Sequence, residues 1–160
     1  MADEGRTMKF ENEKELERRL RRWLEEKLDK RFVVLNGKKV TDIIVCREYY
    51  PRAFFLEVKL HKFKGDRIGI GVEKGKGVQP EIVKRTPKYF EKYLRWVLCD
   101  NRQNERKFVF VSTKTIKKKY LSGGEVGQKY NNIKREIFNK EPLLTKDKLI
   151  EKLLVWLKKT

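Results

Sequence analysis

Leu16, Leu20, Trp23, Leu24 and Leu28 recur at three- and four-residue intervals within a stretch crowded with Glu, Arg and Lys. That period is one apolar face of a helix and predicts an amphipathic helix over residues 11–30. The pattern then shortens. Residues 32–35 and 40–46 are β-rich runs on either side of Asn36-Gly37, a pair that tolerates the positive φ angles of a tight hairpin turn, so two antiparallel strands are expected. A third strand is expected over 53–60, after the Tyr49-Tyr50-Pro51 break, and a weaker fourth over 67–72, where Gly69 and Gly71 interrupt the run.

Thr86-Pro87 suits an N-cap followed by proline at the first helical position, and predicts a helix running to about Leu98 with Phe90, Tyr93, Leu94 and Val97 as its core stripe. Residues 107–112 read as an apolar strand, 113–120 as a basic segment leading to the flexible Ser122-Gly123-Gly124, and 125–139 and 146–158 as helices divided by Pro142. The last helix carries Leu149, Ile150, Leu153, Leu154, Trp156 and Leu157. So wide a stripe fits either a packed core helix or a homodimer face. The expectation is an α/β domain with a mixed central sheet of four or five strands, flanked by the first helix and the 87–98 helix. Its core spans about residues 10–120, with a C-terminal helical addition over about 121–160.

Composition adds a partner. The 160 residues hold 41 Lys and Arg against 23 Asp and Glu, a net charge of +18, more than solubility needs and a field that attracts polyanions. With 39% hydrophobic residues the chain still has material for a core. The longest apolar runs fall far short of the roughly 20 residues of a membrane helix, and Met1-Ala2-Asp3-Glu4 does not begin a secretory signal. A soluble, cytoplasmic protein with no membrane partner is expected. Cys46 and Cys99 alone exclude a disulfide framework or a four-thiolate zinc site, and the single His61 excludes acid–base pairs of histidines. Hydrolytic chemistry would fall to carboxylates and lysines.

Glu-x-Lys occurs at Glu25, Glu57 and Glu105, but only Glu57-Val58-Lys59 lies within an apolar strand. Period-two geometry puts Glu57 and Lys59 on one face and Leu56, Val58 and Leu60 on the other. Asp42 stands among apolar residues, with Ile43, Ile44 and Val45 following it. A carboxylate there costs several kcal/mol unless paired, hydrogen-bonded or bound to a cation; a strand-entry residue holding a turn is the plainer alternative. Glu13 lies three residues before Leu16 on the inward helix face, and Glu17 competes with it for that place.

A helix with an acid ahead of its leucines, a hairpin carrying Asp42 and a strand carrying Glu57-x-Lys59 together resemble the PD-(D/E)XK phosphodiesterase superfamily, the restriction-endonuclease-like and Holliday-junction-resolvase-like nucleases. The resemblance covers about residues 10–60. It implies that Asp42 and Glu57 bind Mg²⁺ or Mn²⁺, that Lys59 positions or activates water, and that Glu13 completes the site. Thr41 departs from the pattern, standing where the family's name places proline. Gln79 falls where members often carry an auxiliary Gln or Lys. A metal-dependent endonuclease acting on branched or duplex DNA is the implied function, with a non-catalytic nucleic-acid-binding or architectural protein as the rival.

Hard oxygen ligands independently favour Mg²⁺ or Mn²⁺ over zinc or copper. The stretch from Gly71 to Gly77 is one residue short of a P-loop and has Gly77 where Ser or Thr should bind metal. It suits phosphate-backbone contact better, flanked by Lys62, Lys64, Arg67, Lys74 and Lys76. Lys88, Lys92 and Arg95 share a face of the expected 87–98 helix, and Lys117 and Lys118 belong to the basic segment after the last strand. These extend a nucleic-acid surface, with DNA placed ahead of RNA. Tyr89 and Trp96 either stack on bases or fill core.

Overall fold

Asn12 begins the first helix, α1 (Glu13–Lys27), its side chain accepting from the Glu15 N–H at 2.9 Å while Glu15 reaches back to the Glu11 N–H at 2.6 Å. These contacts satisfy backbone donors that a helix start leaves open. The chain is seen in a computed structural model that describes residues 8–37, 41–62, 67–69, 88–122 and 132–160. Leu16, Leu20, Trp23 and Leu24 form the buried stripe of α1.

Strands β1 (Phe32–Asn36), β2 (Ile43–Arg47) and β3 (Arg52–His61) make an antiparallel meander, β5 (Leu94–Asp100) lies parallel to β3, and β6 (Phe108–Val111) runs antiparallel to β5. The result is a mixed five-stranded sheet in the order β1-β2-β3-β5-β6. A smaller sheet joins β4 (Arg67–Gly69), β8 (Asn132–Lys134) and β7 (Leu121–Ser122) in the order β4-β8-β7. Short helices α2 (Lys88–Tyr93) and α3 (Ile137–Lys140), an α-helical turn at Thr113–Thr115 continuing into a π-helical one at Ile116–Tyr120, and a final helix α4 (Lys146–Lys159) complete the described part.

The main sheet buries both faces. Leu56, Val58, Val97 and Cys99 pack on one side with the α1 stripe and with Leu149, Ile150, Leu153, Trp156 and Leu157 of α4. On the other, Trp96, Leu98 and Val109 meet Ile116, Tyr120, Ile133, Ile137 and Phe138. Among the described residues no helix is long and apolar enough to cross a membrane.

Several expectations change. The helix expected over 87–98 stops at Tyr93, and Leu94–Asp100 is the strand between β3 and β6. Six of its seven residues are buried, because a central strand covered on both faces needs apolar side chains on both. Asn36-Gly37 is not a two-residue turn: Asn36 pairs with Ile43, which leaves residues 37–42 as the connection. The expected fourth strand forms only over its first part among the described residues, and in the small sheet rather than the central one. Strand β8 and α3 replace the later part of the helix expected over 125–139. The C-terminal addition is therefore not purely helical. The apolar stripe of α4 is consumed by the chain's own core, which takes up the face offered for a homodimer.

Candidate active site

Strand β3 has two neighbours for only part of its length. β2 pairs with Arg52 through Leu56 and then ends, whereas β5 accompanies β3 from Phe55 to His61. Backbone groups beyond Leu56 on the β2 side therefore need other partners, because unpaired buried N–H and C=O groups are costly. Side chains supply them. The Thr41 hydroxyl lies 2.9 Å from the Leu56 carbonyl, Asp42 Oδ2 accepts the Val58 N–H at 2.6 Å, and the Glu13 carboxylate accepts from the Leu60 N–H.

Gly37 fixes where Thr41 and Asp42 sit. A Cβ on Gly37 would lie 2.0 Å from the Thr41 carbonyl oxygen, so no other residue permits this approach, and the Gly37 N–H donates to the Asp42 carbonyl at 3.1 Å. Asp42 thus stands just before β2 rather than within it.

Glu57 and Lys59 project from β3 on the face shared with their partners Trp96 and Leu98, as the alternation predicts. Both are buried, at 1% and 8% exposure. The Thr41 hydroxyl also reaches Glu57 Oε1, at 2.8 Å, and has a single proton to share between that carboxylate and the Leu56 carbonyl. Lys59 Nζ stands 3.9 Å from Glu13 Oε1 across the open edge.

Both helix acids feel Asp42, so the structure does not single out either Glu13 or Glu17. Burial pushes the Glu17 carboxyl up to about 8, helped by the charge of Asp42, a hydrogen bond with Asp42 and the charge of Glu13. Burial also raises Glu13, with Asp42 acting the same way, while Lys59 and the Leu60 N–H pull it down. Glu13, Glu17 and Asp42 thus act on one another pairwise, with Lys59 beside Glu13 and Glu57 tied to Thr41, the neighbour of Asp42.

Among the described residues no three acid, histidine or cysteine side chains form a ready metal-binding group. The donor set nevertheless suits a hard cation held by one or two carboxylates with water completing its shell. Burial first, and the charge of Asp42 after it, lifts Glu13 and Glu17, and a bound cation would oppose both.

The expected nucleic-acid residues divide. Lys92, Lys117 and Lys118 are exposed, and exposed Lys62 donates to the Glu11 carbonyl, fastening the end of β3 to the start of α1. Arg95 is corrected: it lies on β5, donates to the Glu91 and Leu94 carbonyls, packs 5.6 Å over Trp156 and shares no helix face with Lys88 and Lys92. Trp96 is core, wholly buried, its indole donating to Thr113 at 2.9 Å. Lys64, Lys74, Lys76 and Gln79 lie outside the described residues, as do the side chains of Arg67, Lys88 and Tyr89.

Thr41 is the residue whose part the sequence did not reveal. It marked a missing proline, yet it links Glu57 to the β3 backbone. Its only signal was adjacency to Asp42. No family model matches the chain, and no curated protein matches it in sequence.

Proposed function

We propose that this chain is a metal-dependent nuclease of the restriction-endonuclease-like kind that hydrolyses phosphodiester bonds in DNA. The observation that carries this reading is the coupling of Asp42, Glu13, Glu17 and Lys59 at the open edge of β3, with Glu57 linked to that edge through the Thr41 hydroxyl. The mixed sheet, with a meander followed by a strand parallel to β3, agrees with it.

Asp42 and Glu57 would hold Mg²⁺ or Mn²⁺, with the helix acids beside them. When bound, the cation supplies Lewis-acid charge at the phosphate and makes water more acidic. The protein does the rest. Thr41 and the Val58 N–H each fix one carboxylate oxygen, which sets the direction of Glu57 and Asp42. Lys59, a largely buried side chain with Glu13 3.9 Å from its ammonium, would place positive charge where the pentacovalent phosphate gains negative charge. A phosphodiester repels nucleophiles, and this fixed charge offsets that repulsion. The net charge of +18 draws the polyanion in.

Incubation with supercoiled plasmid tests the proposal. Wild type is expected to nick or linearise it in Mg²⁺ or Mn²⁺ and not in EDTA, with Glu57→Ala and Lys59→Ala each slower by about 10²–10³-fold. Binding without cleavage in either metal would favour the architectural reading.

A further inference from the structure

A cleft of about 800 Å³ opens beside the carboxylates, and its lining includes Lys14, Arg18 and Arg21 of α1 as well as Glu17, Asn36 and Asp42. The three cations recur at i, i+4 and i+7, one stripe along the helix. Over that interval the axis rises about 10 Å, which at about 3.4 Å per phosphate along one strand of a duplex spans about three phosphates.

Their neighbours on α1 are committed within the protein. Arg19 faces Glu15 at 3.8 Å and lies over the Phe10 and Trp23 rings, and Arg22 faces Glu26 at 3.9 Å. Lys14, Arg18 and Arg21 make no hydrogen bond and no ion pair among the described residues, although acids line the same cleft. Those acids have partners of their own: Glu15 serves Arg19 and the Glu11 N–H, and Glu17 leans on Asp42, with Arg21 acting on it through charge alone. Positive charge without a hydrogen-bonded partner thus lines the same cleft as Asp42.

We propose that this cleft receives one nucleic-acid strand, with Lys14, Arg18 and Arg21 gripping successive backbone phosphates beside the Asp42 carboxylate. The assignment rests on the nuclease reading for its purpose, while strand binding itself is measured without cleavage. Contacts of this kind position a strand without reading its sequence.

Anisotropy of a fluorescein-labelled DNA duplex in EDTA, taken across a salt series, provides the test. Lys14→Ala/Arg18→Ala/Arg21→Ala is compared with Lys148→Ala/Lys152→Ala/Lys159→Ala, which removes equal charge from exposed positions of α4. Alanine favours helix, so both variants are expected to keep wild-type circular dichroism. At about 0.9 per phosphate contact, the cleft variant should flatten the log–log salt slope by about 2.7 and the α4 variant by less than one. Equal flattening by both, or an unchanged slope in the cleft variant, overturns the proposal. So does poly-glutamate displacing the duplex as well as unlabelled DNA does, which would indicate an acidic protein partner. The two readings fail separately. Wild type that binds through the cleft yet cuts nothing in Mg²⁺ removes the nuclease and keeps the cleft. A cleft variant that binds and cuts like wild type removes the cleft and keeps the nuclease.

Discussion

The two halves of β3 have the same backbone and different neighbours. From Arg52 to Leu56 the strand has β2 beside it, and Phe54 and Leu56 are wholly buried. From Glu57 to His61 the β2 side is open, and Thr41, Asp42 and Glu13 stand in for the missing strand. The first half is held by apolar packing and a regular ladder. The second collects carboxylates because a broken ladder leaves N–H groups that anionic oxygens satisfy well. The candidate site therefore lies where the sheet stops being regular.

This contrast can be broken deliberately. The largest effect is expected in the paired half, where Phe54 packs against Tyr93 and Trp156 with ring centroids 5.7 and 5.0 Å away. Phe54→Ala should lower unfolding free energy by about 3–5 kcal/mol in urea titration. In the open half, Thr41→Val removes the hydroxyl that serves Leu56 and Glu57. A loss of about 1–3 kcal/mol is expected, with Thr41→Ser restoring most of it. Equal stability of the valine and serine variants would mean that the hydroxyl does not hold the edge together.

A smaller effect follows from Glu17. Its folded value of about 8 exceeds the ordinary 4.5, so the native state binds the proton more tightly than the unfolded chain. The resulting stability is complete below about pH 4.5 and is lost as pH rises toward 8. Glu13 is shifted in the same direction. In EDTA, the melting temperature of wild type should fall between about pH 5.5 and 8.5 by more than that of Glu17→Gln. Parallel curves would show that Glu17 titrates normally.

Which parts were readable from sequence follows the same division. Helix α1 and the final helix announced themselves by spacing, and Glu57-Val58-Lys59 stood out as charge inside an apolar strand. Leu94–Asp100 did not, because a strand buried on both faces has no alternation, and Tyr93, Leu94 and Val97 also fit a helical stripe. Asp42 was visible as a carboxylate among apolar neighbours, but its distance from the strand proper depended on Gly37 closing against Thr41, a tertiary contact without a local signal. The same holds for the lysines and arginines: composition gives their number, and only the fold separates Arg95, committed within the protein, from Lys117 and Lys118 at the surface.

The central claim, that the open half of β3 serves a divalent cation, is tested most directly by amide resonances during titration with substoichiometric Mn²⁺. Val58 and Leu60 should broaden first, Val45 and Phe54 should remain sharp, and Asp42→Asn should abolish the difference while leaving the spectrum folded. Broadening spread evenly over the surface acids, or persisting unchanged in Asp42→Asn, would contradict it.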